Sequence, residues 1–334
     1  MKRTLLLICT LLCANVLFAQ EQLAALKHND SISVYYGANA FVEAYNAAAN
    51  GDIITLSDGM FYAPSSVQKG ITLRGNGSVA DTARHSTGTY FMEEFSVSNL
   101  RDTLHFEAEG IYFNHLKIIG SNDINLTRCY INKIDMQSSS STRRGGLQAT
   151  NCVIKGSLYG TDVFNNIYSN CILSSLYGSS ATEFPDYTIC NNCIILGEDD
   201  TYTYGLSPYQ YNNCIVIKKG TTNDTILNSI VNNSVLIGFT GTSSPASSGN
   251  VAMSLSDVFE NWDGETLSTD LETYVLKSSV SNSILGLDGS EVGIFGGVIP
   301  FDWTPTYSVI KRLDVPNTPD ENGMLNIDVE FLTE

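Results

Sequence analysis

An asparagine–cysteine pair followed by two aliphatic residues returns through the middle of the chain at nearly constant spacing. Successive copies are 23, 19, 22, 21 and 20 residues apart. A spacing of about twenty residues is too short for a pair of helices, so each copy is predicted to be one coil of a solenoid. The cysteine position of the repeat is occupied, in order, by Cys129, Cys152, Cys171, Cys193, Cys214 and finally Ser234.

Each copy alternates apolar and polar residues up to the asparagine and then places two apolar residues side by side, as in residues 147–154. The alternation predicts a strand, and the apolar pair predicts a bend at the asparagine, a residue that tolerates the left-handed conformation. Stacked coil upon coil, the asparagine amides are predicted to form a buried ladder in which they bond one another. The members of this ladder are Asn151, Asn170, Asn192, Asn213 and Asn233.

Six cysteines remain once the first residues are set aside, and three disulfides are the default expectation in an oxidising compartment. Five of the six share one column of the repeat, where side chains of in-register parallel strands point the same way. The torsion angle of a disulfide is hard to reach in that arrangement. We therefore predict buried free thiols that stack as small apolar groups.

The N-terminus begins with Lys2 and Arg3, continues with an apolar stretch from Thr4 to Phe18 and reaches a small residue at Ala19. This pattern predicts a secretory signal peptide over residues 1–19. No later segment has the apolar length of a transmembrane helix. The mature protein is expected to be secreted, or held at the cell envelope by something other than a membrane span of its own.

The composition combines 43% hydrophobic residues with a formal net charge of −17, which signal cleavage lowers by a further two. Such a hydrophobic fraction is typical of a folded protein with a large core. So acidic a chain repels phosphate backbones, and no basic stripe with interleaved aromatic residues is present. Nucleic acid is therefore excluded as an expected partner.

The residues before the repeat carry a resemblance to a known family. An alanine-rich segment, Ala40 to Asn50, precedes Gly-Asp-Ile-Ile-Thr-Leu at 51–56, Gly-Met-Phe-Tyr at 59–62 and Ile-Thr-Leu-Arg-Gly at 71–75. This order resembles the opening of the pectate-lyase-like right-handed parallel β-helix superfamily. The resemblance implies a three-sheet cross-section and right-handed coiling. The residues themselves predict the capping helix at about 38–50, because Phe41, Val42 and Tyr45 among the alanines make it amphipathic and an exposed first coil needs a cover.

The predicted fold is thus all-β: a single-stranded right-handed parallel β-helix solenoid of about a dozen coils over residues 20–300, with an N-terminal capping helix. Leu287 to Gly297 is similar to the closing coil of secreted bacterial β-helices. Residues 301–334 are expected to form a segment or cap that contains a strand near Leu325 to Phe331, where polar and apolar residues alternate.

The resemblance implies two catalytic templates. Glycoside hydrolases of this fold carry Asp-Asp, Gly-His-Gly and Arg-x-Lys phrases, of which only Asp199-Asp200 is present. Polysaccharide lyases use an arginine or lysine base and calcium-binding aspartates. The candidate lyase residues are Lys133, Asp135, Arg143 and Arg144, and calcium would be expected only for that activity. Neither a compact calcium motif nor a zinc motif occurs, so no metal or cofactor is predicted.

Tyrosines at coil spacing indicate a binding surface, because ring faces and hydroxyl groups suit sugars. The predicted carbohydrate-binding residues are Tyr159, Tyr177, Tyr202 and Tyr204. The expected function is that of a monomeric, non-catalytic protein that presents an elongated surface to a polysaccharide or another cell-envelope component. Two alternatives remain: a polysaccharide lyase or glycoside hydrolase with an atypical site, and a structural or adhesive spacer.

Overall fold

The computed structural model describes residues 22–83, 86–100, 104–121, 123–137, 146–155, 158–161, 165–174, 188–197, 209–218, 224–226, 229–242, 244–262, 268–306, 309–314 and 328–332. Two large sheets, referred to as sheet A and sheet B, are built from strands stacked coil upon coil. All pairings within them are parallel except those of the first two strands, β1 (Leu23–His28) and β2 (Ser31–Tyr36), which confirms a parallel β-solenoid.

Sheet A contains eleven strands. In spatial order they are β2 (Ser31–Tyr36), β1 (Leu23–His28), β3 (Ile53–Leu56), β5 (Thr72–Arg74), β7 (Phe106–Glu109), β9 (Ile124–Thr127), β12 (Leu147–Thr150), β15 (Asn166–Ser169), β17 (Thr188–Asn191), β19 (Tyr209–Asn212) and β22 (Ile230–Asn232).

Sheet B contains twelve strands. They are β4 (Gly59–Met60), β6 (Thr89–Ser98), β8 (Tyr112–Ile119), β10 (Tyr130–Ile131), β11 (Ile134–Gln137), β13 (Val153–Ile154), β14 (Leu158–Thr161), β16 (Ile172–Ser174), β18 (Ile194–Gly197), β20 (Ile215–Lys218), β23 (Val235–Ile237) and β25 (Val251–Met253). Strand β8 pairs with both β10 and β11. Its buried residues Phe113 and Leu116 are three apart, so the alternation breaks and sheet B bends there to supply two faces of the coil.

Two smaller pairs complete the strands. β21 (Asp224–Ile226) lies parallel to β24 (Phe239–Thr242), and β26 (Val309–Asp314) lies antiparallel to β27 (Asp328–Leu332). The strand predicted near the C-terminus is therefore present as one half of a hairpin.

The predicted N-terminal cap is present as helix α1 (Ala40–Ala47). Phe41 of this helix is fully buried, and the centroid of its ring lies 5.2 Å from that of Phe91 and 5.8 Å from that of Phe95. The hairpin of β1 and β2 covers the sheet edge that β3 would otherwise leave unpaired. An open solenoid end exposes both core and strand edge, and the chain covers the two with different elements.

The corner between sheets A and B is a column of residues in the left-handed conformation. Their φ angles run from 46° to 56°, and the backbone N–H of each corner asparagine donates to a carbonyl of the next coil. This confirms the predicted bend and the stacking of the asparagines. The column consists of Arg128, Asn151, Asn170, Asn192, Asn213 and Asn233.

The cysteine column lies directly after this corner, and all of its thiols are buried and free. The backbone N–H of Cys152 donates to Sγ of Cys171 at 3.5 Å, and that of Cys171 donates to Sγ of Cys193 at the same distance. At the end of the column the N–H of Cys214 donates to Oγ of Ser234 at 2.9 Å. The thiols therefore satisfy inward-pointing backbone donors as well as filling space.

Sheet B is buried on both faces over its later coils. Ile154, Leu173 and Ile195 point into the solenoid core, whereas their neighbours Val153, Ile172 and Ile194 belong to a second apolar cluster outside the sheet. The apolar pair in each repeat thus reflects two-sided burial, and the bend itself is made by the asparagine before it.

The outer cluster is completed by the C-terminal segment, defined as residues 255–306. It contains helix α2 (Leu255–Val258), a 3-10 helix (Leu271–Tyr274) and helix α3 (Ser278–Ser281). The sequence predicts about a dozen coils that continue to about residue 300, but parallel pairing in sheet B already ends at β25, at Met253. The apolar residues after β25 pack on the outer face of sheet B, among them Val258, Phe259, Trp262, Tyr274, Val292, Ile294 and Phe301.

The end of the C-terminal segment runs back along the corner column, coil by coil. Nδ2 of Asn170 donates to the carbonyls of Ile294 at 2.9 Å and Gly296 at 2.7 Å, and Nδ2 of Asn151 donates to that of Pro300 at 3.2 Å. The corner amides therefore bond this segment, whereas the sequence predicts that they bond one another.

Amide-to-amide bonds occur one residue earlier, in sheet A. Asn212 donates to Asn191 at 2.9 Å and Asn232 donates to Asn212 at 3.2 Å. An asparagine at the corner presents its amide to the outside of the bend, where the C-terminal segment offers carbonyl groups, while one at a strand end lies beside its equivalent in the next coil.

Candidate functional site

One column of outward side chains runs the full length of sheet B, and its character changes midway. Register pairs Met60 with Tyr90, Tyr90 with Tyr112, and Tyr112 with Tyr130, after which Tyr130 pairs with Val153. From there the column is aliphatic: Val153, Ile172, Ile194, Ile215, Val235 and Val251.

The aliphatic part of the column is covered by the C-terminal segment up to Val235, and the first part is not. Met60 is 60% exposed, and Tyr90, Tyr112 and Tyr130 are partly exposed. The ring centroids of Tyr90 and Tyr112 are 5.3 Å apart, and those of Tyr112 and Tyr130 are 5.2 Å apart with the planes 12° from parallel. The rings of Tyr112 and Tyr130 are therefore stacked, whereas the planes of Tyr90 and Tyr112 are tilted by 49°.

The tyrosine hydroxyls remain protonated at neutral pH. Burial raises the pKa of Tyr112, and burial together with the neighbouring Tyr112 raises the pKa of Tyr130. For Tyr90 burial is again the main cause, with Asp58 and Tyr112 adding to it. A protonated phenol hydroxyl can both donate and accept a hydrogen bond. That of Tyr90 already donates to the carbonyl of Thr87, so it remains available as an acceptor.

An amide pair lies beside the rings. Nδ2 of Asn132 donates to Oδ1 of Asn114 at 3.1 Å, and Nδ2 of Asn114 donates to the carbonyl of Met92 at 3.0 Å. Asn114 and Asn132 each follow a tyrosine of the column by two residues, so the amides run parallel to the rings along the solenoid. They add a polar strip to the same outer surface.

Beyond the amides lies a group of paired charges on β6, β8 and β11. Oδ2 of Asp135 accepts from Nε2 of His115 at 2.8 Å and from Nζ of Lys133 at 2.9 Å. Glu94 lies 3.5 Å from both Nδ1 of His115 and Nζ of Lys117. Burial raises the pKa of Asp135, but the hydrogen bonds from Lys133 and His115 outweigh it and hold that pKa below its ordinary value.

We call this whole surface the tyrosine face. Two lysines and two carboxylates balance within it, so it is close to neutral in a chain of net charge −17. It comprises Met60, Tyr90, Glu94, Tyr112, Asn114, His115, Lys117, Tyr130, Asn132, Lys133 and Asp135.

The structure brings together some of the residues that the sequence singles out. Lys133 and Asp135 form an ion pair, and register places Tyr159 beside Asp135 on the next coil, although the side chain of Tyr159 lies outside the described part. Arg143, Arg144, Tyr177, Tyr202 and Tyr204 fall outside the described residues, as do Asp199 and Asp200.

Sequence reasoning missed the three tyrosines of the column, as well as His115 and Glu94. A signal was available: Tyr90-Phe91, Tyr112-Phe113 and Tyr130-Ile131 each place a tyrosine before a buried residue at the coil spacing. In addition, Tyr130 occupies the position that is aliphatic in the later copies of the repeat.

Over the residues that the structure describes, no three histidine, cysteine or carboxylate side chains converge as a metal site would require. Across the same residues, no helix has the length and apolar character needed to cross a membrane. Comparison of the chain with protein-family models, with curated proteins and with solved structures found no match.

Proposed function

We propose that this is an exported β-helix protein, of the pectate-lyase-like type, that binds an uncharged glycan on the tyrosine face without cleaving it. The observation that carries the proposal is the uncovered first part of the outward column of sheet B. The chain covers the column from Val153 to Val235 with its own apolar residues, whereas the uncovered first part consists of Met60 and three tyrosines, Tyr90, Tyr112 and Tyr130.

The chemistry of the face suits a sugar polymer. The partly exposed tyrosine rings offer apolar surface, while phenol hydroxyls and the amides of Asn114 and Asn132 offer hydrogen-bonding groups. These groups repeat at the coil spacing, so a ligand with a short regular repeat can meet equivalent groups on successive coils.

The charges favour an uncharged ligand over an acidic one. Lys133 is bonded to Asp135 and Lys117 faces Glu94, so each lysine already has an anionic partner. The ring of His115 is bonded to the same Asp135. A uronate would have to compete with these carboxylates in a protein that is acidic overall. Neutral glycans meet no such penalty.

A lyase is the second candidate, because the ion pair of Lys133 and Asp135 with His115 places possible acid and base groups side by side. Proton abstraction would need a base that a substrate can reach, and Lys133 is about half exposed. This activity leaves an unsaturated product, which makes it separable from binding.

The test uses the mature protein, beginning at residue 20, and a panel of immobilised polysaccharides: cellulose, xylan and mannan as neutral polymers, polygalacturonate and alginate as acidic ones. We expect retention on a neutral polymer without release of unsaturated products. Tyr112→Ala should weaken retention about tenfold, equivalent to about 1.4 kcal/mol. Tyr112→Phe, which keeps the ring stack, should retain part of the binding.

Tyr36→Ala is the matched control, because Tyr36 is 52% exposed but lies on the edge strand of sheet A. It should bind like the unaltered protein. Absence of retention on every polymer would contradict the proposal and favour a spacer. Product formation from polygalacturonate or alginate that Lys133→Ala abolishes would establish the lyase instead.

A further inference from the structure

The tyrosine face is closed at one end and open at the other. At the closed end Tyr130 stacks on Tyr112 with one side of its ring and packs against the outer apolar cluster of Val153 and the C-terminal segment. At the open end Met60 is 60% exposed, and the neighbouring Tyr62 and Met92 are 49% and 47% exposed.

The closed end is a fixed wall. Phe301 and Trp303 pack with their rings 4.9 Å apart at 84°, and Nε1 of Trp303 donates to the carbonyl of Thr269 at 3.2 Å. Phe301 belongs to the outer apolar cluster, and Trp303 and Tyr130 both pack against that cluster.

A polar anchor holds the wall at the coil of Tyr130. The backbone N–H and the hydroxyl of Thr306 donate to Oε1 of Glu109 at 2.9 and 2.8 Å. The same carboxylate accepts from Nη1 of Arg128 at 3.3 Å, two residues before Tyr130. The C-terminal segment is thus tied to the solenoid where the uncovered column ends.

The residue types agree with this boundary. A tyrosine suits a position where the ring makes apolar contacts and the hydroxyl reaches solvent, whereas an aliphatic residue suits a position that is fully buried. The column changes from tyrosine to valine between Tyr130 and Val153, at the coil where the cover begins. The uncovered stretch from Met60 to Tyr130 spans three coil spacings, roughly 15 Å.

We propose that the tyrosine face recognises the end of a glycan chain, and that the wall limits the site to about three or four sugar units, one per coil. This inference rests on the proposed glycan binding. A chain lying along the solenoid enters over Met60 and stops at Tyr130, because its continuation would have to occupy the volume of the C-terminal segment. One terminus of the chain therefore meets Tyr130 and the wall.

The test is calorimetric titration of the mature protein with cello-, xylo- and manno-oligosaccharides of two to eight units. Affinity should rise with length to about four units and then stay within about twofold up to eight. Two further probes carry a bulky aromatic tag, one on the reducing end and one on the non-reducing end. One of the two should bind more than tenfold more weakly, and the other should bind like the untagged oligomer.

Affinity that continues to rise beyond about four units, or equal binding of both tagged forms, would overturn the end-recognition inference while leaving glycan binding intact. Retention of a polymer without binding of any oligomer would overturn it too. Failure of all polymers and all oligomers to bind would instead remove the proposed function on which it rests.

Trp303→Ala provides a second measurement. Shortening the wall should let the affinity continue to rise with oligomer length past four units, and a circular dichroism melt would establish that the variant is folded. An unchanged length profile in a folded variant would contradict the role of Trp303 as part of the wall.

Discussion

The strongest single test of the architecture concerns Asn170, which links the corner column to the C-terminal segment. It is 4% exposed and its Nδ2 donates to the carbonyls of Ile294 and Gly296. The carbonyl of Ile294 also accepts from the N–H of Phe301, so it keeps a partner when Asn170 is replaced. The carbonyl of Gly296 has no second donor within the described residues.

Asn170→Gly removes both hydrogen bonds and keeps the left-handed corner, which glycine adopts freely. A buried carbonyl without a donor costs about 1–3 kcal/mol, and the second bond contributes about 1 kcal/mol, so the free energy of unfolding should fall by about 3 kcal/mol. Asn170→Ala loses the same bonds and must also hold φ at 50° with a Cβ, which adds about 1–2 kcal/mol.

Urea unfolding followed by tryptophan fluorescence measures these changes, because both tryptophans of the chain, Trp262 and Trp303, lie in the C-terminal segment. The matched control is Asn192→Gly. Asn192 shares the corner geometry, with φ at 51°, but its Nδ2 has no hydrogen-bond partner within the described residues. It should change the unfolding free energy by less than about 1 kcal/mol.

An unfolding free energy of Asn170→Gly within about 0.5 kcal/mol of that of the unaltered protein would contradict a role for the Asn170 hydrogen bonds. Destabilisation of Asn192→Gly by as much as Asn170→Gly would contradict it too. Equal stability of the glycine and alanine variants would show that the left-handed corner carries no cost of its own.

Three further outcomes follow from the same structure. Cys171→Ser should change the free energy of urea unfolding by less than about 1 kcal/mol, because a hydroxyl can accept from the N–H of Cys152 as that of Ser234 accepts from Cys214. Cys171→Val has no acceptor, so its free energy of unfolding should fall by about 1–3 kcal/mol. Equal losses in the two variants would contradict the acceptor role. All six cysteines are buried, and burial raises the pKa of Cys129, Cys152, Cys171 and Cys193 well above the ordinary value. The six thiols should therefore resist a thiol reagent in the native protein and react in denaturant, and fewer than four reactive thiols in denaturant would disprove the free column. Because the pKa of Asp135 is lowered from its ordinary value of 3.8, its ionised carboxylate stabilises the fold at pH values above 3.8, and this contribution should disappear as the pH falls below that value. Asp135→Asn should therefore make the free energy of unfolding depend less steeply on pH in the acid range. An unchanged pH dependence would exclude the contribution.

The sequence alone determined the coil. Three local features recur at a spacing near twenty residues. Alternation up to the asparagine indicates a strand, the asparagine indicates a left-handed corner, and the cysteine after it indicates an inward side chain. For the same reason the capping helix could be predicted, since Phe41 and Tyr45 share its apolar side and both are buried.

Only the tertiary structure decided what lies outside the coil. The first residue of the apolar pair, such as Ile172 or Ile194, looks the same in the sequence whether a bend or a second packed layer explains the pair. The layer comes from residues far along the chain, such as Ile294, which lies in the same outer cluster. The partners of the corner amides are equally distant, with Asn170 and Gly296 separated by 126 residues. Local pattern carries no information about such pairs.

The candidate site follows the same division. The pairing of Lys133 with Asp135 lies within one coil and could be anticipated from the sequence, whereas the approach of His115 and Glu94 depends on the register between coils. That the tyrosine face is open at all was settled by where the C-terminal segment stops. Periodicity thus fixes which way a side chain points, and only long-range packing fixes whether anything covers it.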